Sequence, residues 1–176
     1  IIHYRVSKKT NKTLNKNNLY LFDSGAQYLD GTTDVTRTIS IGDNPTSEQK
    51  DIFTRVLKGN IGLSSHIFNE KTIGRSLDKI ARKHLQKKKY DYPHGTGNGF
   101  GSYLSVHEGP ISISKQSKTK FKKGMLLTNE PGFYKTNQYG IRIENVLLVV
   151  KRKKFLSFEV LTLAPIDTKL IDSKLN

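Results

Sequence analysis

Four acidic residues lie in two segments that otherwise have the apolar alternation of β-strands. Asp23 and Asp34 belong to residues 22–38, and Glu130 and Glu144 belong to residues 128–145. An unpaired carboxylate inside a strand that packs into a core is costly. No matching pattern of basic residues lies within the same runs, so the two segments predict a cage that holds cations, most simply two metal ions.

The spacing of the acids supports this prediction. Asp23 and Asp34 are eleven residues apart across a tight Asp-Gly turn, and Glu130 and Glu144 are fourteen apart across the loop 135–140. Each separation suits a β-hairpin in which both strands direct an acid to one point. Two hairpins that face each other would then bring all four carboxylates together.

A local explanation of the acids is the alternative. In it Asp23 caps a turn, Asp34 pairs with Arg37, and Glu144 pairs with Arg142. Acids are usually exposed or paired, so this explanation suits any one of them. Four acids at this spacing favour the shared metal site.

Composition excludes several classes of protein. The 176 residues suit one domain with a substantial core. The absence of cysteine excludes disulfides and thiolate metal sites. The apolar run 146–150 is too short to span a membrane. The net charge of +15 comes from scattered lysine clusters without a nucleic-acid-binding motif, so we expect a solubilising surface and no nucleic-acid partner.

The order of predicted elements indicates a mixed α/β fold. Residues 19–22 are expected to form a buried strand, followed by the first acidic hairpin. Thr46 and Gln49 form a capping-box pattern at the start of a helix, and a second helix is expected over 72–88. The apolar stripe of the first helix is predicted to be Ile52, Phe53, Val56, Leu57, Ile61 and Leu63; short strands are expected around 106, 111–114, 125–129, 140–150 and 155–163, after the glycine-rich passage 92–101.

Six passages along the chain carry a combined resemblance to a known family: 1–4, 23–38, 94–110, 129–134, 140–145 and 161–166. Taken together, they resemble the pita-bread metallopeptidases, and among them the eukaryotic cytosolic Xaa-Pro aminopeptidases. The resemblance implies a curved antiparallel sheet with helices outside it. It also implies that residues 1–176 are the C-terminal metallopeptidase catalytic domain, as a fragment that is incomplete at its N-terminus.

By this resemblance the chain holds two divalent metal ions. Asp23 is the expected chelating ligand of the first metal, Asp34 and Glu144 are the expected shared ligands, and Glu130 is a ligand of the second. In the family pattern His-Gly-Thr-Gly-His-Gly the second histidine is also a ligand, but Asn98 occupies its position here. Oxygen donors favour Mn²⁺, with Zn²⁺ or Co²⁺ as alternatives, and Asn98 puts the second metal in doubt.

The resemblance also assigns the catalytic residues. Glu130 is expected to handle a proton of the attacking water. His107 is expected to contact the scissile carbonyl, and His3 and His94 are expected to line the pocket of the proline that follows the cut.

The implied activity is release of the N-terminal residue from peptides with proline in second position, weakened by Asn98. The expected setting is the cytoplasm, with a peptide substrate, no membrane, and a homodimer in the full-length protein. The alternative is a pita-bread pseudoenzyme that binds peptide, protein or nucleic acid. Asn98 and the +15 charge favour this alternative, whereas retention of four acids and three pocket histidines opposes it.

Overall fold

A computed structural model describes residues 2, 4–101 and 107–175 of the protein. The site residue His3 and the strand expected around Val106 lie outside this part of the chain. None of the described helices combines the length and apolar character needed to cross a membrane. The main elements are β1 (Leu19–Tyr28), β2 (Gly31–Ser40), α1 (Ser47–Ser64), α2 (Gly74–Gln86), β3 (Gly97–Phe100), β4 (His107–Ile113), β5 (Leu126–Asn129), β6 (Gly132–Lys135), β7 (Tyr139–Arg142), β8 (Asn145–Arg152) and β9 (Phe155–Val160).

Strands β1 and β2 form an antiparallel hairpin, as the sequence predicts. Gly25 lies opposite Asp34, and Asp23 lies two residues before Gly25. Since residues two apart on a strand share a face, the two acids are diagonal neighbours. The prediction of a separate, buried strand at 19–22 is wrong: these residues begin β1, and Tyr20 is 40% exposed.

Five antiparallel strands form the main sheet in the order β4-β3-β5-β8-β9. Strand β3 runs between β4 and β5 at very close approach. A Cβ atom at Gly97 would collide with the carbonyl of Thr128, and one at Gly99 would collide with the carbonyl of Glu108. Glycine is therefore required at both positions. Asn98 lies between these two glycines in β3, opposite Ser112 of β4.

Strands β6 and β7 form a second hairpin that continues from the sheet. At the junction Asn129 of β5 lies opposite Asn145 of β8. Glu130 follows Asn129 and Glu144 precedes Asn145, so the two glutamates lie where the chain leaves the main sheet and where it returns. This is the second hairpin that the sequence predicts.

The two hairpins are joined directly. The Thr38 hydroxyl lies 3.1 Å from both the carbonyl and the amide nitrogen of Arg142, and the amide of Glu144 donates to the Thr36 carbonyl at 3.1 Å. Because these bonds fix β2 against the segment around Glu144, the acids of the two hairpins face a common space.

Both helices form where the sequence predicts them. The Thr46 hydroxyl accepts from the Gln49 amide, and the Gln49 side chain accepts from the Thr46 amide, which completes the capping box. Helix α2 is shorter than the predicted range 72–88. The prediction for Ile61 is wrong, since this side chain is 55% exposed, whereas Ile52, Phe53, Val56 and Leu63 are buried.

Alternate residues of β8 have unequal importance for stability. Leu147 is fully buried in the core between the main sheet and α2, whereas Leu148 points to the other face and is half-buried. Leu147→Ala is expected to lower the free energy of unfolding by about 2–5 kcal/mol, because it leaves a cavity. Urea unfolding measures this effect. Leu148→Ala is the matched control, and a loss as large as that of Leu147→Ala would contradict the assignment of faces.

Candidate metal centre

Three of the four predicted acids converge on one point. Asp23, Asp34 and Glu144 each offer a carboxylate oxygen, and these oxygens lie within 4.8 Å of one another. Asp34 and Glu144 are buried, at 8% and 3% exposure, whereas Asp23 lies at the open side of the group. The three acids come from both hairpins, so the site exists only once the hairpins have docked.

The polar face of β2 supplies much of this arrangement. Asp34, Thr36 and Thr38 share one face of the strand, and all three are buried. The Thr36 hydroxyl donates to a carboxylate oxygen of Glu144 at 2.7 Å. The buried face of β2 is therefore polar, because it carries Asp34 and the threonine that holds Glu144.

Glu130 lies beside this group of three and is held separately. Its amide donates to the Thr96 carbonyl at 2.7 Å, and the Thr128 hydroxyl lies 3.1 Å from its carboxylate. The same hydroxyl lies 3.3 Å from the side-chain oxygen of Asn98 and accepts from the backbone amide of Asn98 at 3.1 Å. Thr128 thus links Asn98 to Glu130 and places the Asn98 side chain next to the acids.

Arg142 partly compensates the negative charge. Its guanidinium donates to Asp23 at 2.6 Å, to the Tyr134 hydroxyl at 2.7 Å and to the Thr36 hydroxyl at 3.3 Å. Asp23 therefore has a basic partner from the run that carries Glu144. One guanidinium still leaves most of the carboxylate charge uncompensated.

The local pairings of the alternative explanation do not form within the described residues. The guanidinium of Arg37 donates to the backbone carbonyls of Thr36 and Glu144 and to the side chain of Asn145, but the structure gives it no bond to Asp34. The guanidinium of Arg142 binds Asp23 and not Glu144. The carboxylate of Glu144 therefore lies with those of Asp23 and Asp34.

The histidines have different environments. Nδ1 of His94 lies 2.7 Å from the carbonyl of Gly95, which can only accept, so Nδ1 carries a proton. Nε2 lies 2.8 Å from the Tyr134 hydroxyl and accepts from it in the neutral ring. His107 is exposed at the start of β4, opposite Phe100. The roles predicted for both histidines, and for His3 outside the described residues, stay predictions.

The acids have the electrostatics of a site that needs cations. Burial, with the charge of Asp23, raises the pKa of Asp34 to about 6, and burial raises the pKa of Glu130 to about 7. Burial and the charges of Glu130 and Asp34 raise the pKa of Glu144 well above its usual range. Such carboxyls are either protonated or paired with positive charge, and a set of oxygen donors fits hard divalent cations.

Comparison of the chain with known proteins agrees with this fold and this site. The sequence profile of metallopeptidase family M24 matches residues 1–151. The chain belongs to this family. It is 49% identical to Xaa-Pro aminopeptidase 1 of Dictyostelium discoideum over 98% of its own length, and 48% identical to aminopeptidase P1 of Lotus japonicus over 99%. It spans 28% of the length of each relative.

Solved structures confirm the pita-bread fold. X-prolyl aminopeptidase of Caenorhabditis elegans, described as a cytosolic enzyme with a di-nuclear active site, matches with a TM-score of 0.91 and 44% identity. The match covers 98% of this chain and 29% of that protein. Prolidase of Pyrococcus furiosus matches with a TM-score of 0.79 and 31% identity, over 89% of this chain and 44% of that one.

Two polar residues of this region escape the sequence analysis. Thr36 and Tyr134 bind Glu144 and Arg142, respectively. A signal for Thr36 exists, since it shares the strand face of Asp34. Nothing in the local pattern distinguishes Tyr134, because its role depends on bonding both Arg142 of the neighbouring strand and His94, which lies 40 residues earlier.

The acids should make the metal-free protein sensitive to pH. The ordinary pKa values of the Asp34 and Glu130 carboxyls are 3.8 and 4.5, and folding raises them to about 6 and about 7. Between these limits the folded chain holds more protons than the unfolded chain. The free energy of unfolding should therefore fall as the pH rises from about 4 to about 7. Thermal unfolding with a chelator at several pH values measures this fall, and Mn²⁺ should reverse it near pH 7.

Asp34→Asn and Asp30→Asn form a matched pair for this experiment. Both remove one negative charge from the same hairpin, but Asp34 is buried whereas Asp30 is exposed at the turn. Asp34→Asn should stabilise the metal-free protein near pH 7 by up to about 3 kcal/mol and flatten its pH dependence. Asp30→Asn should change stability by less than about 0.5 kcal/mol. Equal effects of the two substitutions would contradict the electrostatic assignment.

Proposed function

We propose that this chain supplies the metal centre of an Xaa-Pro aminopeptidase, which releases the N-terminal residue from peptides with proline in second position. The observation that carries the proposal is the convergence of Asp23, Asp34 and Glu144, with Glu130 beside them, in an M24 fold. Relatives named for the same activity support the proline preference.

The residues fit a pair of divalent cations. Asp23, Asp34 and Glu144 would hold the first, and Asp34, Glu144, Glu130 and the side-chain oxygen of Asn98 would hold the second. When bound, two such ions polarise a carbonyl and lower the pKa of water. Carboxylate and amide oxygens favour Mn²⁺ among the candidates. Because a neutral amide is a weaker donor than an imidazole, we expect reduced affinity at the second position.

The remaining residues bind, orient and transfer protons. Glu130 is the acid outside the group of three, and Thr128 and Thr96 hold it in a fixed orientation. We assign to it the proton transfer from water to the departing proline nitrogen. A hydrogen-bonded series from His94 through Tyr134 and Arg142 to Asp23 fixes the open side of the site.

The setting of the protein follows from the same proposal. We infer that residues 1–176 form part of the catalytic domain of a longer protein, because the chain spans 28% of the length of its relatives. We also propose a cytoplasmic location, as described for the C. elegans enzyme. We further propose that the full-length protein is a homodimer.

A turnover assay tests the activity. The purified protein with Mn²⁺ is expected to release the first residue from an Xaa-Pro peptide and to leave the matching Xaa-Ala peptide intact. Asp34→Asn should abolish turnover, because it removes a shared ligand. Cleavage of both peptides at equal rates would contradict the proline preference.

Asn98→His tests the donor set. An imidazole at this position should increase affinity for Zn²⁺ and Co²⁺ by about tenfold or more and should raise turnover, because the second ion is held more tightly. Calorimetric titration with each metal measures the affinity. Asn17→His, which adds the same ring to an exposed loop, is the control and should change neither quantity.

The outcome also separates the two candidate functions. A large gain from Asn98→His supports an enzyme weakened at one ligand. If neither the natural chain nor Asn98→His turns over any peptide, while the natural chain binds an Xaa-Pro peptide, the pseudoenzyme is favoured.

A further inference from the structure

A buried asparagine near the C-terminal end of α1 makes hydrogen bonds that apolar packing does not require. Asn60 is 2% exposed and lies on the helix face that otherwise contributes Ile52, Phe53, Val56 and Leu63 to the core. A buried side-chain amide lowers stability unless its polar atoms are paired. All the polar atoms of this amide take part in hydrogen bonds, so their partners indicate what the residue does.

The partners are the backbone positions that precede the two glutamates. The Nδ2 atom of Asn60 donates to the carbonyl of Asn129 at 2.9 Å and to the carbonyl of Ile143 at 3.1 Å. Glu130 follows the first carbonyl and Glu144 follows the second. A single amide therefore joins the two chain segments at the point where both glutamates leave the main sheet.

Further bonds fix the orientation of this amide. The side-chain Oδ1 of Asn60 accepts from Nδ2 of Asn145 at 3.1 Å. The backbone carbonyl of Asn60 accepts from Nδ2 of Asn129 at 2.9 Å. A flipped amide would direct an oxygen at the two backbone carbonyls, so the assigned orientation is the one that satisfies every partner. Arg37 holds the other side of Asn145 and also binds the carbonyl of Glu144 at 2.6 Å.

The two glutamates need such a brace. Glu130 lies beside the group of acids that contains Glu144, so the two carboxylates repel each other when both are ionised. Strand pairing between β5 and β8 ends at Asn129 and Asn145. Between that pair and the start of the β6–β7 pairing at Gly132 and Arg142, the segments are joined by the Asn60 amide and by the bond from the Ile143 amide to the Pro131 carbonyl.

We propose that Asn60 is a positioning residue that sets the separation of Glu130 and Glu144 and thereby the affinity of the site for its second metal ion. The inference rests on the metal centre of the proposed function. The residue touches neither metal nor substrate, and it acts through the backbone of the two ligands. A purely structural amide would lower the stability of the protein but leave the metal affinity of the folded protein unchanged.

Asn60→Ala and Thr54→Val separate these roles. Thr54 lies on the same helix, is 5% exposed, and accepts a hydrogen bond from the Asp172 amide, remote in sequence from both glutamates. Both substitutions remove one buried polar group from α1 and should lower the thermal unfolding midpoint. Asn60→Ala should weaken binding of the second Mn²⁺ by about tenfold or more. Thr54→Val should leave it within about twofold.

Calorimetric titration with Mn²⁺ measures the two affinities, and electron paramagnetic resonance reports coupling between two bound Mn²⁺ ions. Asn60→Ala should lose the coupled signal at Mn²⁺ concentrations that saturate the natural protein. Should Asn60→Ala fail to fold, Asn60→Ser is measured in its place. Its hydroxyl is shorter than the amide and has one proton, so it cannot bond both carbonyls and should show the same loss.

Two bound Mn²⁺ ions with natural affinity and unchanged coupling in the Asn60 variant would overturn the inference. So would a natural protein that binds fewer than two Mn²⁺ ions. Failure of the proposed function looks different: the natural protein would bind two Mn²⁺ ions but cleave no Xaa-Pro peptide. In that case the effect of Asn60 on binding could still be measured.

Discussion

Repulsion among buried carboxylates is the interaction on which the rest of this structure depends. Asp34 and Glu144 are buried, Asp23 lies with them, and Glu130 is close enough to affect the protonation of Glu144. Burial and mutual repulsion both disfavour the ionised forms. The guanidinium of Arg142 offsets part of this cost. Such a group is either protonated or balanced by bound cations, and it needs a scaffold stiff enough to hold the acids together.

That scaffold is made from two hairpins braced from behind. The β1–β2 hairpin contributes Asp23 and Asp34, and the segments that flank the β6–β7 hairpin contribute the two glutamates. Threonines of β2 join these parts through hydrogen bonds to Arg142 and Glu144. Helix α1 supplies the brace through Asn60, which binds the segments that carry both glutamates. Polar contacts of this kind are specific in direction, whereas apolar packing alone would leave the separation of the acids loosely defined.

Local patterns predicted much of this fold. The capping box at Thr46, both helices and both hairpins appear as expected, because each depends on residues near one another in sequence. Predictions failed where distant residues decide. Ile61 has helical spacing but remains exposed, and the first residues of β1 are apolar but partly exposed. Strand β3 escaped prediction because its glycines are required by the neighbouring strands.

The sequence by itself determined which acids could form a site, since Asp23, Asp34, Glu130 and Glu144 stand out by their placement in strand-like runs. Through the family resemblance it also predicted that Asn98 takes the position of a ligand histidine. Only the tertiary structure decided that three of the four carboxylates share one point with Glu130 beside them, and that Arg142 binds Asp23. It also decided that Asn60 binds the backbone just before both glutamates. The physical reason is distance along the chain: these contacts join residues tens of positions apart, and no local pattern records which of them will meet.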